Sequence, residues 1–276
     1  MPSVRYLNGI KIILAKDKKT GGRIVASLIQ EFLKSKKNGV LGLATGETMI
    51  PVYKNLIGIY RKNKIDFSGV KTFNLDEYFD NEIKDRERLR NFMDKNFFNH
   101  VSIQGKNINF LDGKTTNVSD ECRRYEEEIK KAGGIDLQIL GIGRNGHVGF
   151  NEPGSSMRSR TRRVKLKEST KKDNNQFFKL SKVPEYALTI GVANILEARK
   201  IILVAFGKNK SAAVKLALEG KIGNKIPASF LRKHNNVIFV VDESAASKLQ
   251  DVNMSRFALR KLPTLVREKT KANLEH

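Results

Sequence analysis

"GGIDLQILGIGRNGHVGFNEPG" (residues 133–154) decides the fold. Its first part, Gly133 to Leu140, is an apolar run bounded by glycines and reads as a buried strand. The remainder, Gly141 to Gly154, is too rich in glycine for a regular helix, yet it carries His147 and Glu152. A titratable pair thus follows directly on the carboxyl end of a strand, which is where open α/β sheets bind ligands.

Outward from this stretch, strand-like and helix-like segments alternate. "IKIILA" from Ile10, "GVLGLA" from Gly39, "VKTFNL" from Val70, "NINFL" from Asn107, "YALTI" from Tyr186, "KIILVAF" from Lys200 and "NVIFVVD" from Asn236 read as strands. Between them, "GGRIVASLIQEFLKSKK" sets Ile24, Val25, Leu28, Ile29, Phe32 and Leu33 on one helical face. "VSDECRRYEEEIKKAGG" opens with the cap-like Ser119-Asp120 and ends on glycines. "KNKSAAVKLALEG" and "IPASFLRKH" are also helical in pattern. The alternation predicts a single α/β domain over residues 1–250, with a mostly parallel, Rossmann-like central sheet flanked by helices on both faces. The charged, less regular stretch at about 155–183 is expected to form a lid over the strand ends. Residues 251–276 read as a basic tail, and Leu274 to His276 as a remnant of an expression vector.

Composition narrows the function classes. With 276 residues, 39% of them hydrophobic, the chain can bury a sizeable core. One cysteine, Cys122, excludes an intrachain disulfide and fits a reducing, cytoplasmic setting. The amino-terminal residues lack a signal-peptide pattern, and no apolar run reaches the roughly 18–20 residues of a membrane span. The net charge of +23 raises nucleic acid as a partner, but the basic residues are spread along the chain and no nucleic-acid-binding motif is present. Nucleic acid and membrane are therefore not expected partners. The sequence does not distinguish a monomer from a homo-oligomer.

Three loops carry chemistry. In "LATGET", a strand ends and a helix begins at Thr45, Gly46 and Thr48, so free amides and a positive dipole end suit a phosphate. A purely structural helix start reads the same way. In "TFNLDEYF", Asp76 and Glu77 follow an apolar strand between aromatics, a setting that raises a carboxyl and makes it a base; a helix cap is the competing reading. In the third loop His147 and Glu152 are five residues apart, which a folded-back loop can join into an acid/base pair. A Ser–His–Asp triad using Ser155 or Ser156 lacks the usual nucleophile elbow. His100 and His234 sit in helix-like surroundings, and no HExxH or CxxC occurs, so no metal site is expected.

Together the loops resemble the glucosamine-6-phosphate deaminase (isomerase-type) family over about residues 10–250. "FNLDEY" and "GRNGHVGFNEP" carry the likeness most specifically, with "SRTR", "YALTIGVANILEARKIILVAFG", "IPASFL" and "VVDESAAS" behind them. The resemblance implies conversion of glucosamine 6-phosphate and water to fructose 6-phosphate and ammonia, with a small sugar phosphate as partner and no cofactor. It implies His147 as the acid that opens the sugar ring, Glu152 and Asn145 as the groups that orient and tune it, and Asp76 as the base at C2. It assigns the phosphate to Thr45, Gly46, Thr48 and Lys210. Several positions depart from the family pattern: Glu47 stands for Gly or Ser, Met49 for Pro, Gln176 for a phosphate-binding Arg, and "RERL" (Arg86 to Leu89) for the usual "PESY". Weakened phosphate binding is the expected consequence. Alternatives are a galactosamine 6-phosphate deaminase, a 6-phosphogluconolactonase, or a non-catalytic sugar-phosphate or nucleic-acid binder.

Overall fold

The computed structural model describes residues 3–175, 178 and 182–250. Gln176 and the 251–276 tail lie outside the described residues. The strands in chain order are β1 (Ser3–Leu7), β2 (Ile10–Ala15), β3 (Val40–Leu43), β4 (Lys71–Asn74), β5 (Asp76–Phe79), β6 (Ile108–Asn109), β7 (Leu137–Gly141), β8 (Arg162–Lys165), β9 (Tyr186–Thr189), β10 (Lys200–Ala205) and β11 (Val237–Asp242). The helices are α1 (Lys18–Ser35), α2 (Ile50–Arg61), α3 (Leu89–Asn96), α4 (Val118–Lys131), α5 (Glu168–Asn174), α6 (Val192–Leu196), α7 (Ser211–Glu219) and α8 (Glu243–Ala246).

Eight strands form the central sheet, in the order β1-β2-β11-β10-β7-β3-β4-β6. All neighbours are parallel except β1 and β2, an antiparallel hairpin at the edge. Its turn is Asn8-Gly9, both at positive φ, as a two-residue hairpin turn requires. β10, β7 and β11 are buried almost throughout, so their near-continuous apolar sequences follow from a sheet covered on both faces. Each buried Ile, Leu or Val here contributes roughly 1.5–3 kcal/mol. Among the described residues no helix is long and apolar enough to cross a membrane.

The order of the strands positions the site. After β3 the chain crosses to β4 on one side, whereas β7 is followed by β10 and β11 on the other. The adjacent strands β3 and β7 therefore part at their carboxyl ends, and the connections that follow them open a crevice between them.

Three segments depart from the sequence reading. "YALTI" does not join the central sheet: β9 pairs antiparallel with β5 and β8 in a second, three-stranded sheet. The cap of α4 is Asn117, whose side chain accepts from the Asp120 amide, and not Ser119-Asp120. "IPASFLRKH" forms a 3-10 segment, Pro227–Lys233, instead of an α-helix. It is pinned by Ala228 N–H donating to the Gly146 carbonyl in the glycine-rich loop. The second sheet has its own small core, in which Tyr78 packs on Phe150 and Phe178 over Leu166 and Ala187.

Candidate active site

The loop after β7 is shaped by its glycines. Gly143 N–H donates to the His147 carbonyl, folding the loop back on itself. A Cβ at Gly143 would lie 2.2 Å from the His147 ring, so any larger residue would displace the imidazole. Gly149 takes φ +55, and a Cβ there would sit 3.5 Å from Asp76 Oδ2 and 3.1 Å from Thr189 Oγ1. The same loop therefore bends around one ring and lies close to the Asp76 carboxylate.

His147 Nδ1 lies 3.5 Å from Glu152 Oε2. Asn145 Nδ2 donates to the same oxygen at 2.7 Å, and Asn145 Oδ1 accepts from the His147 amide at 3.2 Å. The other oxygen, Oε1, accepts from the Thr170 hydroxyl at 2.5 Å and faces the Lys167 amide at 3.5 Å. Burial alone would raise the Glu152 carboxyl. The hydrogen bond and charge of His147, with Thr170 and Asn145, outweigh it and hold the group below the usual carboxylate range.

Asp76 begins β5 and is 6% exposed. Burial, reinforced by the neighbouring charge of Glu77, pushes its carboxyl up to about 8. Glu77 faces elsewhere: its carboxylate accepts from the amides of Tyr78, Leu89 and Arg90 at 2.8, 3.0 and 2.9 Å. It caps the start of α3, and burial still raises its carboxyl despite those bonds. The adjacent acids of "DEYF" thus divide into one carboxylate open to a cavity and one bound by backbone.

Asp76, His147, Thr170, Arg144, Lys210 and the turn Thr45–Thr48 line one cavity of about 950 Å³. Asn145 and Glu152 stand behind His147. Every one of these groups follows the carboxyl end of a parallel strand or is carried by the segment covering it. Lys210 comes after β10, in a turn held by Asp242, whose two oxygens accept from the Gly207 amide at 3.0 Å each. Burial, with Arg144 close by, lowers the Lys210 ammonium below its ordinary value, and Glu47 opposes this in part. Arg144 is held by Asp173 of α5, with Nε to Oδ2 at 2.7 Å. Glu47 is exposed on the rim.

A larger cavity of about 1320 Å³ opens beside α4 and β8. Two of the guanidinium groups lining it are engaged within the fold: Arg160 with Glu126 and Glu197, and Arg162 with Asn151 and Ser155. It holds none of Asp76, His147 and Glu152, so the candidate site is the cavity that Asp76 and His147 line. The Ser155 hydroxyl accepts from Arg162 at 3.0 Å and is not a partner of His147. Among the described residues no cluster of three or more His, Cys, Asp or Glu side chains could hold a metal.

Sequence reasoning missed Thr170 and Arg144. Neither has a local signal, since a threonine within a charged helix and an arginine in a glycine-rich loop are ordinary surface residues.

Residues 18–240 match the model of the glucosamine-6-phosphate isomerases/6-phosphogluconolactonase family. The chain is 44% identical over 246 residues to a glucosamine-6-phosphate deaminase of Thermoanaerobacter sp., covering 89% of this chain and 97% of that one. It is 46% identical over 242 residues to a glucosamine-6-phosphate deaminase of Clostridium botulinum, covering 87% and 99%. Among solved structures, a monomeric glucosamine-6-phosphate deaminase superposes with a TM-score of 0.83 at 38% identity, over 86% of this chain and 98% of that one. A 6-phosphogluconolactonase from Plasmodium vivax shares the fold, with a TM-score of 0.67 at 21% identity over 87% and 93%.

Proposed function

The chain belongs to the glucosamine-6-phosphate isomerase/6-phosphogluconolactonase family, and within it we propose a glucosamine-6-phosphate deaminase acting through Asp76 and the His147–Glu152 pair. The reaction takes glucosamine 6-phosphate and water to fructose 6-phosphate and ammonia. The observation that carries the reading is the opening of two different groups onto one cavity: a buried carboxyl pushed up to about 8 and an imidazole backed by a carboxylate. Such a division suits a reaction that needs a base at one atom and an acid at another.

In this reading the phosphate lies against the Thr45–Thr48 turn and Lys210. His147 gives a proton to the ring oxygen, the anomeric hydroxyl loses its proton to solvent, and the C1–O5 bond breaks to leave an aldehyde at C1 and a hydroxyl at C5. Glu152 stabilises the charged imidazole, and Asn145 fixes both partners. The aldehyde acidifies the C2 proton, which Asp76 removes while O1 takes a proton from solvent, leaving an enolamine. Asp76 returns the proton to C1, and C2 becomes an imine. Water adds at C2 and ammonia leaves, giving the ketose. Desolvation suits Asp76 to this task, because a base with a value near the working pH can both take and return a proton. Holding the sugar by its phosphate supplies the alignment.

Of the expected lid at about 155–183, the described residues 155–175 are the covering segment in this reading, since β8 and α5 both fall there and Thr170 of α5 lines the cavity. A phosphorylated metabolite as substrate and a single unpaired cysteine, Cys122, fit a cytoplasmic enzyme. The test is turnover of three candidate substrates by the purified chain. Ammonia from glucosamine 6-phosphate, well above that from galactosamine 6-phosphate and without hydrolysis of 6-phosphogluconolactone, is expected. Lactone hydrolysis without ammonia release would overturn the reading.

A further inference from the structure

Glu152 is the carboxylate behind His147, and its two oxygens are held by different parts of the chain. Oε2 belongs to the loop after β7, through Asn145 and His147. Oε1 belongs to α5, through the Thr170 hydroxyl at 2.5 Å and the backbone at Lys167. Thr170 is 2% exposed, so this bond is made away from bulk water, where it is strong and its loss is costly. Thr170 Oγ1 also lies 3.5 Å from His147 Nδ1. The hydroxyl thus touches both members of the pair at once.

We propose that Thr170 is a positioning residue for ring opening: its hydroxyl fixes the Glu152 carboxylate, and through it the His147 imidazole, from the segment that covers the cavity. The proposal rests on the deaminase reading for the step it serves, but the hydrogen bond itself can be tested without turnover. The geometry requires a donor on the α5 side. Without Thr170, Oε1 keeps only the long contact to the Lys167 amide, and Asn145 on Oε2 is left to hold the carboxylate against Nδ1 from one side. Arg144 and Asp173 tie α5 to the same loop a turn further on, so the helix stays in place when the hydroxyl is removed.

The titratable group facing Glu152 from the loop is His147. Arg144, Lys172 and Asp173 line the same cavity, and Asp76 faces it from β5. Thr170→Val removes the hydroxyl with almost no change of shape, and Thr170→Ser restores it. The first readout is the Glu152 carboxyl titration by carbon NMR, assigned with Glu152→Gln. Loss of the donor in the Val variant should raise the midpoint by about one unit, and Ser should return it. An unmoved midpoint overturns the proposal, whatever the activity. The second readout is kinetic. The Val variant should lose about ten-fold in kcat on the cyclic sugar phosphate, with KM within about two-fold, and keep its rate on an open-chain analogue. Equal loss on both substrates would make the role structural and overturn it. A wild-type chain that releases no ammonia would instead fail the activity reading and leave the NMR arm to decide this one. Thr170→Ala repeats the deletion should Val not pack. Unfolding of both, with Ser intact, would likewise assign the hydroxyl to folding and overturn the proposal.

Discussion

Asp76→Asn separates the fold's interest from the site's. The wild-type carboxyl is 6% exposed and is pushed up from 3.8 to about 8, by burial first and by Glu77 second. The native state keeps this proton over a pH range in which the unfolded chain has lost it. A carboxyl raised in this way contributes stability that is whole below about pH 4 and is lost progressively as the pH climbs to about 8. The loss runs at ~1.4 kcal/mol per pH unit, which gives about 4 kcal/mol by pH 7 and a plateau on the order of 6 kcal/mol above pH 8. Asparagine cannot ionise and fills the same space. Asp76→Asn should therefore be more stable than wild type, by a margin near zero at about pH 4 that widens to several kcal/mol at about pH 8. Denaturant titrations of both proteins at about pH 5, 7 and 9 measure the margin. The same substitution should reduce turnover by about 10²–10⁴-fold and stop exchange of the C2 proton, with the sugar still bound. A margin that fails to grow with pH would refute the buried, raised carboxyl. Undiminished turnover would refute its role as base.

Two further outcomes are expected. His147→Gln should slow the cyclic substrate far more than an open-chain analogue; equal slowing, read by steady-state rates on both, would detach His147 from ring opening. Glu47→Ser removes a carboxylate on the phosphate side of the cavity, near Lys210, and should lower KM for the sugar phosphate by about five-fold at low salt and less at high salt, with kcat unchanged; an unchanged KM would place Glu47 away from the bound anion.

Much of this architecture was legible because it is written in short-range patterns. β2 runs over the predicted Ile10–Ala15, and α1, β3, β4, β7, β10 and β11 fall within a few residues of their predicted spans. Continuous apolar strands and one-faced helices are what a doubly covered parallel sheet demands. The small sheet was not legible. "DEYF" and "YALT" have the pattern of any strand, and only long-range register, Asp76 opposite Thr189, shows that they leave the main sheet. β1 has a signal in the sequence, the Asn8-Gly9 turn ahead of β2. The loop residues Asp76, Asn145, His147 and Glu152 could be named from their motifs. Their surroundings could not: that Glu77 is spent on the amides of α3, and that Thr170 holds the far side of Glu152, depend on contacts across 12 and 18 residues of chain.

Glucosamine 6-phosphate in deuterated buffer puts the central claim to its most direct test, with ammonium, fructose 6-phosphate and the label at C1 measured together in wild type and Asp76→Asn. The wild-type chain should release the two products in equal amounts, with solvent deuterium at C1 in part of the ketose, because Asp76 exchanges its proton between taking it from C2 and returning it. The Asn variant should bind the sugar and form neither product at a comparable rate. Absence of ammonia with the wild type, or undiminished labelled product with the variant, would contradict the account.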